Sequence, residues 1–270
     1  MNSNSNSCLT FTAAVLLFHG LILGKTDYLK NFHPDSLRLK KVDAQRCDEA
    51  PIIDGYITDS CWETTRPVDE FFQNEPKELS VPSENTVARV CFDNEALYIF
   101  IEAFDSQPEN IKKTLVRRDR WMDGFANNSD WVGVTIDSKN DDYNGYFFAV
   151  NASGVIMDVA LSGEWDYDPT WNPVWDVDIA FNDSGWTAEF KLPFAVFQFE
   201  NKPDMEWGIE FERSIHRLQE RVGWPGRSKS IRGLILPLGV LSGIKNIPTP
   251  KQLEVLPYGL AGYSDKIHGS

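Results

Sequence analysis

The chain has 270 residues, of which 24% are charged and 13% aromatic, including nine tryptophans. This composition is typical of a globular protein with a full apolar core, not of a disordered chain, and we favour one large domain. Its 26 Lys and Arg against 40 Asp and Glu give a net charge of −14, which repels phosphate backbones and argues against nucleic acid as a partner. The acidity is compatible with neutral ligands such as sugars, or with cations, and selects neither.

The N-terminus carries an uncharged apolar run, Cys8–Gly24, which is followed directly by Lys25 and Asp27. The run resembles the core of a secretory signal peptide and is short for a membrane span. The first seven residues carry no Lys or Arg, and a signal anchor is the alternative. We therefore predict export to the periplasm, the outer membrane or the extracellular space.

The first part of the domain reads as short elements. The run Pro51–Gly55 predicts a short strand into a turn, and Thr58 and Asp59 predict a capped helix start before Trp62. From Thr86 the alternation becomes that of a hairpin, with arms at residues 86–92 and 97–103.

The central stretch Ser129–Gly154 predicts a second hairpin. Val132, Val134 and Ile136 alternate with Trp131, Gly133, Thr135 and Asp137, and a second run rich in β-formers follows the polar turn. Each arm has a face apolar enough to bury, so the pair should lie inside a larger sheet.

Later segments continue the same pattern, with strands predicted at 155–161, 176–181, 186–191 and 207–213. About nine to eleven strands at short spacing, without a long amphipathic helix, predict an all-β fold: an antiparallel β-sandwich with short helical turns. The predicted organisation is a signal peptide at 1–24, an N-terminal arm or linker at 25–44, the sandwich at 45–256 and a tail at 257–270.

A series of motifs in this order resembles the carbohydrate-binding module family 9-like domain, in the version found at the N-terminus of exported bacterial proteins. The motifs are IDGYITDSCW, TVARVCFDNEALYIFIEAFD, SDWVGVTIDSKND, YFFAVNASGVIMD, GWTAEFKLPFAVFQF and WGIEFERSIHR. The resemblance covers about Ala50 to Tyr258 and implies a jelly-roll sandwich. In larger relatives the domain precedes a region predicted to form an outer-membrane β-barrel, and LEVLPYGLAGYSDK looks like that junction. Such a barrel is therefore a candidate partner or continuation of a truncated product, and a free-standing module is the alternative.

The resemblance also implies a ligand site, because sugar-binding members clamp a terminal sugar between two tryptophans. Trp121 matches the first position, and Trp224 lies in the region of the second. An aromatic face offers a flat apolar surface to a sugar ring; the alternative is that both rings pack on the sandwich. The strand positions that give charged sugar contacts in the family correspond to Gly133 and Ala149, which lack such groups.

A second aromatic group lies in the loop after residue 162. It comprises Trp165, Tyr167, Trp171 and Trp175, with acids interleaved. This loop is either a sugar platform of its own or a structural feature, since large rings more often bury than bind.

The turn of the central hairpin concentrates oxygen atoms at Asp137, Asp141 and Asp142. These are weak candidates for calcium, the one cofactor we consider. Lys139 occupies what would be a ligand position, and a solvated hairpin turn is the alternative.

The cysteines after the leader are Cys47, Cys61 and Cys91, an odd number without the paired spacings of a zinc site. A disulfide between Cys47 and Cys61 is conceivable in an oxidising compartment. Buried free thiols are the alternative.

The run Arg213–Arg227 concentrates positive charge, which either pairs with local acids or contacts an acidic glycan. No catalytic residue is assigned, because the sequence has no Gly-x-Ser-x-Gly or His-Glu-x-x-His motif, and some carboxylate pair is always available among 40 acids.

Three functions follow in order of preference. The first is an exported, non-catalytic domain that binds glycan through rim aromatics. The second is a structural or interaction domain of an outer-membrane system that has lost sugar binding. The third is part of a glycoside hydrolase in polysaccharide breakdown, which rests on family association alone.

Overall fold

The computed structural model describes residues 40–230, 232–235 and 238–248. These residues form fourteen strands and one short α-helix, α1, at Ser60–Thr64. The strands are β1 Lys41–Asp43, β2 Gln45–Arg46, β3 Phe72–Glu75, β4 Thr86–Phe92, β5 Ala96–Phe104, β6 Trp131–Asp137, β7 Asn144–Asn151, β8 Ile156–Ser162, β9 Asp166–Asp168, β10 Asp176–Asn182, β11 Gly185–Pro193, β12 Met205–Ile215, β13 Glu220–Trp224 and β14 Gly239–Ile244.

The strands form two sheets. The large sheet has nine strands in the order β1-β14-β12-β6-β7-β8-β9, with β13 paired to β12 and β3 paired to β13. The small sheet has five strands in the order β10-β11-β5-β4-β2. All pairings are antiparallel except the short parallel pairs β1–β14 and β2–β4, so the predicted sandwich is confirmed.

The predicted hairpins are present at the predicted places. Strands β6 and β7 pair in register from Trp131 with Asn151 to Ile136 with Tyr146, and β4–β5 and β10–β11 form two more hairpins. Both arms of the central hairpin lie inside the large sheet, with β12 and β8 as outer neighbours. The alternation that predicted these strands is the two-residue period of a sheet with two packed faces.

The main core lies between the sheets. It takes Val90 and Ile99 from the small sheet and Val134, Phe148 and Ile209 from the large one. Side chains that point away from this core form two smaller clusters, one on the outer face of each sheet. These outer faces are where the fold can carry a site.

In the first segment the predicted strand is absent, whereas the predicted helix start is present without its side-chain cap. Pro51–Gly55 forms bends and no strand, because its backbone is held from the side: the N–H groups of Asp54 and Gly55 donate to the Glu189 carboxylate, each at 3.1 Å. The helix α1 is present with Trp62 buried, but Asp59 makes no side-chain cap.

The predicted arm at 25–44 contributes a strand at its end, since Lys41–Asp43 pairs with Val240–Ser242 of β14. Within the described residues no helix is long and apolar enough to cross a membrane. The predicted signal peptide at 1–24 and tail at 257–270 lie outside the described residues, as does the predicted junction motif.

Candidate functional site

Trp121, which heads the predicted ligand site, lies on the outer face of the large sheet. It begins a single π-helical turn, Trp121–Phe125, in which Ala126 N donates to Trp121 O at 3.0 Å. Its ring centroid lies 5.1 Å from that of Trp131 and 5.7 Å from that of Phe147. The ring is therefore partly buried against the sheet and is held in one orientation by its aromatic neighbours.

Next to this aromatic group, the strand register places a row of mostly small side chains. Gly133 lies opposite Ala149 of β7 and Glu212 of β12, and Glu212 lies opposite Gly223 of β13. Residues in one row point to the same face of a sheet. Glu212 is thus the one long side chain among these four positions, and the row ends in Met157 of β8 beyond Ala149 and in Phe72 of β3 beyond Gly223.

Neighbouring side chains lie over both glycines. A Cβ at Gly133 would come within 2.8 Å of the Phe147 ring, and a Cβ at Gly223 within 2.8 Å of the Asn74 side-chain nitrogen. Glu212 therefore has an aromatic ring on one side and an amide on the other. It is half-buried, and no hydrogen bond joins its carboxylate to another residue in the part of the chain that the structure describes.

Two arginines border this row. Arg227 donates to Glu210 at 2.6 Å; burial raises the pKa of Glu210, and the Arg227 guanidinium partly offsets that rise. The guanidinium carbon of Arg221 lies 5.8 Å from the ring centroid of Trp121 and 5.9 Å from that of Trp131, a cation–π arrangement. We call Asn74, Trp121, Glu212 and Arg221 the Glu212 surface.

The rings of the second aromatic group differ in exposure. Trp165 and Tyr167 are 59% and 60% exposed. Trp171 is half-buried against Tyr146, with ring centroids 4.9 Å apart, and lines an open groove of about 450 Å³ with Val174. These rings lie at the β8–β9 edge, away from the Glu212 surface.

Two of the predicted ligand tryptophans belong to the core instead. Trp224 is 3% exposed and packs on Phe211 between the sheets. Trp175 is 9% exposed, stacks on Phe190 and donates its ring N–H to Asp158 at 2.9 Å. The prediction that these two rings contact a ligand is corrected, because neither has a face available for one.

The carboxylates in the acidic turn of the central hairpin accept hydrogen bonds from backbone N–H groups of the same turn. Asp137 accepts from the N–H groups of Lys139 and Asp142, and Asp141 accepts from those of Tyr143 and Asn144. Burial also raises the pKa of Asp137. The arrangement is that of a side-chain-stabilised turn.

The basic run is paired with local acids, as its simpler interpretation predicts. Arg217 donates to Asp105 at 2.7 Å, and Arg213 is fully buried near the same carboxylate at 3.8 Å. Arg221 differs, since it lies over aromatic rings.

Sequence reasoning missed two features. Glu212 and Arg221 lie on the same outer face as Trp121, but only the strand register brings them beside it. Cys47, Cys61 and Cys91 converge although their spacing in the sequence matches no metal motif.

The two packed sheets define a β-sandwich domain with a candidate site on its outer face. The model of the carbohydrate family 9 binding domain-like family matches residues 53–220, and the chain belongs to that family. This confirms the resemblance read from the motifs. A search of the curated proteins finds no match.

Solved structures of the same fold include a family 9 carbohydrate-binding module from Caldicellulosiruptor kristjanssonii. In complex with glucose, it matches with a TM-score of 0.54 at 13% identity over 78% of this chain and 100% of that chain. In complex with cellotriose, it matches with a TM-score of 0.54 at 12% identity over 81% of this chain and 100% of that chain. At these identities the matches establish the fold.

Proposed function

We propose that the chain is a carbohydrate-binding domain that acts without catalysis and holds a sugar against Trp121 on the Glu212 surface. The observation that carries this proposal is the half-buried Glu212 carboxylate, which lies between two glycines and beside a fixed aromatic group. Membership of the family supports the ligand class, as do the glucose and cellotriose complexes of its structural neighbours.

The chemistry of a sugar suits these groups. A pyranose has an apolar C–H face that stacks on an indole ring, and hydroxyl groups at its edge that need hydrogen-bond partners. An ionised carboxylate such as that of Glu212 accepts charge-assisted hydrogen bonds from hydroxyls, and the Arg221 guanidinium donates them. The polar contacts that Gly133 and Ala149 lack thus come from β12 and β13, one and two strands further along the same face.

The test is a titration of the purified domain with glucose, cellotriose and other oligosaccharides, followed by tryptophan fluorescence and calorimetry. We expect saturable binding that Trp121→Ala weakens by at least about tenfold, which corresponds to about 1.4 kcal/mol. Glu212→Gln keeps the side-chain shape but removes the charge, and should weaken binding about three- to tenfold. Trp165→Ala is the matched control, because its ring is exposed on a different edge.

Two results would refute this assignment. Binding lost in Trp165→Ala but unchanged in Trp121→Ala would move the site to the loop at 163–175. The absence of binding to any sugar would favour the second candidate, a structural or interaction domain of an outer-membrane system. The observation behind that candidate is the burial of Trp224, which leaves Trp121 without the second ring of a clamp. Export remains part of the proposal and rests on the uncharged run Cys8–Gly24.

A further inference from the structure

Three cysteines that are distant in the sequence meet on the outer face of the small sheet. Cys47 follows β2, Cys61 lies in α1 and Cys91 lies in β4. Their sulfur atoms all lie within 4.8 Å of one another. The residues are 7%, 7% and 0% exposed, and all three are free thiols.

Independent contacts hold the three positions. The parallel pairing of β2 with β4 places Cys47 beside the strand of Cys91, and Cys47 N donates to Phe92 O at 2.7 Å. Helix α1 is held by Trp62, whose ring packs on Phe100 with centroids 5.5 Å apart and whose N–H donates to Glu189 at 2.9 Å. Cys61 and Cys91 therefore lie in regular elements, and Cys47, one residue beyond β2, is tied to β4 by a backbone hydrogen bond.

The surroundings offer sulfur and little else. The cluster is lined by apolar and aromatic side chains, including Trp62 and Tyr98. The nearby Asp93 carboxylate is already occupied, since it accepts from Glu95 N at 2.7 Å, Ala96 N at 2.8 Å and Tyr98 Oη at 2.9 Å. An all-sulfur donor set among apolar side chains selects soft ions over calcium or magnesium.

The geometry places the three sulfur atoms where one ion could reach them all, because they lie within 4.8 Å of one another. Metal binding would displace the thiol protons and leave thiolates around the ion.

We propose that Cys47, Cys61 and Cys91 form a binding site for one thiophilic metal ion, Zn²⁺ or Cu⁺. At a metal–sulfur distance of about 2.3 Å, thiolates of a tetrahedral site are about 3.8 Å apart, so the observed convergence requires only small movements. Cu⁺ is satisfied by three sulfur ligands, whereas Zn²⁺ needs water as a fourth. A bound ion would join β2, α1 and β4 and stabilise the small sheet by mass action.

The experiment uses the full chain, reduced, metal-free and handled without oxygen. It is titrated with Zn²⁺ and, separately, with Cu⁺, each in competition with a chromogenic chelator. We expect one equivalent of at least one ion to bind with sub-micromolar affinity and to raise the melting temperature. Cd²⁺ titration of the unaltered chain adds a readout that needs no variant, because sulfur-to-cadmium charge-transfer absorption reports thiolate ligation directly.

The variants separate ligation from thiol content. Cys47→Ser and Cys61→Ser should each weaken binding on the order of 100-fold, while Cys8→Ser, which also removes one of the four thiols, should leave it unchanged. Circular dichroism checks that each variant folds. Unchanged affinity in both cluster variants overturns the proposal, as does binding no tighter than micromolar for both ions, or a Cys47–Cys61 disulfide as the only change the cluster undergoes. Sugar titration is independent of these results.

Discussion

Glu189 should make the stability of this domain depend on pH. Its carboxylate is buried on the outer face of the small sheet and accepts from Trp62 Nε1 and from the N–H groups of Asp54 and Gly55. Burial raises its pKa from 4.5 to about 7, while these three hydrogen bonds oppose the rise. The folded protein therefore holds the proton of Glu189 more tightly than the unfolded chain does.

The sign and the size follow from that difference. A carboxyl group with a raised folded-state pKa contributes stability that is fully present below its unfolded pKa and is lost as the pH rises through its folded pKa. The window therefore runs from about pH 4.5 to pH 7. A change from 4.5 to about 7 corresponds to about 3 kcal/mol of unfolding free energy, at about 1.36 kcal/mol for each tenfold change in proton affinity.

The variant Glu189→Gln isolates this group. Its amide has one acceptor oxygen and cannot accept from both Trp62 and the two backbone N–H groups, so we expect it to be less stable than the parent by about 1–3 kcal/mol at pH 5. The parent loses stability as the pH rises, whereas the variant has no carboxyl group to titrate at this position. The difference in unfolding free energy between the two proteins should therefore narrow by pH 8. Urea unfolding followed by tryptophan fluorescence at pH 5, 6, 7 and 8 measures this difference. The buried Glu210, whose pKa is also raised, titrates in both proteins and cancels. A gap that stays constant across this range would refute the reasoning.

Two further substitutions test the framework by urea unfolding. Arg213→Met should lower the unfolding free energy by about 3–5 kcal/mol, because the buried guanidinium donates to Asn85 O at 2.8 Å and Phe104 O at 2.7 Å and its loss leaves these acceptors unpaired; a loss below about 1 kcal/mol would contradict this. Gly185→Ala should cost more than about 2 kcal/mol, since its φ is +144° and a Cβ would come 2.2 Å from a backbone oxygen. Gly163→Ala, with the nearest atom at 3.7 Å, is the control and should cost about 1 kcal/mol.

The strands could be predicted because successive side chains point to opposite faces of a sheet, and the core between the sheets takes aliphatic residues such as Val132 and Val134 while the outer face takes other residue types. Trp131–Asp137 shows this alternation plainly, and all seven residues are buried. The exception, Pro51–Gly55, contains the β-branched pair Ile52 and Ile53, yet the N–H groups of Asp54 and Gly55 donate to Glu189, which lies more than 130 residues away in the sequence. Because the hydrogen-bond partner is a distant carboxylate and not a neighbouring strand, the residues around Pro51–Gly55 do not reveal that the strand is absent.

The candidate site could be predicted from the sequence only where a single residue pointed to it. Trp121 could be named from the motif order, whereas Glu212 depends on the register of β12 against β6 and β13, which one sequence does not reveal. The fates of Trp175 and Trp224 illustrate the same limit: a ring that stacks on a sugar and a ring that fills a core are identical in sequence. The thiol cluster could not be predicted because the parallel pairing of β2 with β4, which brings Cys47 close to Cys91, is not visible in the sequence.

The packing explains why the outer face of the large sheet, and not that of the small sheet, is the candidate ligand surface. On the small sheet, α1 covers the outer face through Trp62, so its cluster is sealed. On the large sheet, Arg227 donates to Gly233 O and Leu234 O, each at 3.1 Å, and holds that segment over one side of the outer face. The turn that begins at Trp121 covers another side, and the short residues beside Glu212 lie between these covers. A ligand there would meet the carboxylate at the base and the indole at the edge, which is why Trp121→Ala and Glu212→Gln should each weaken the same binding event.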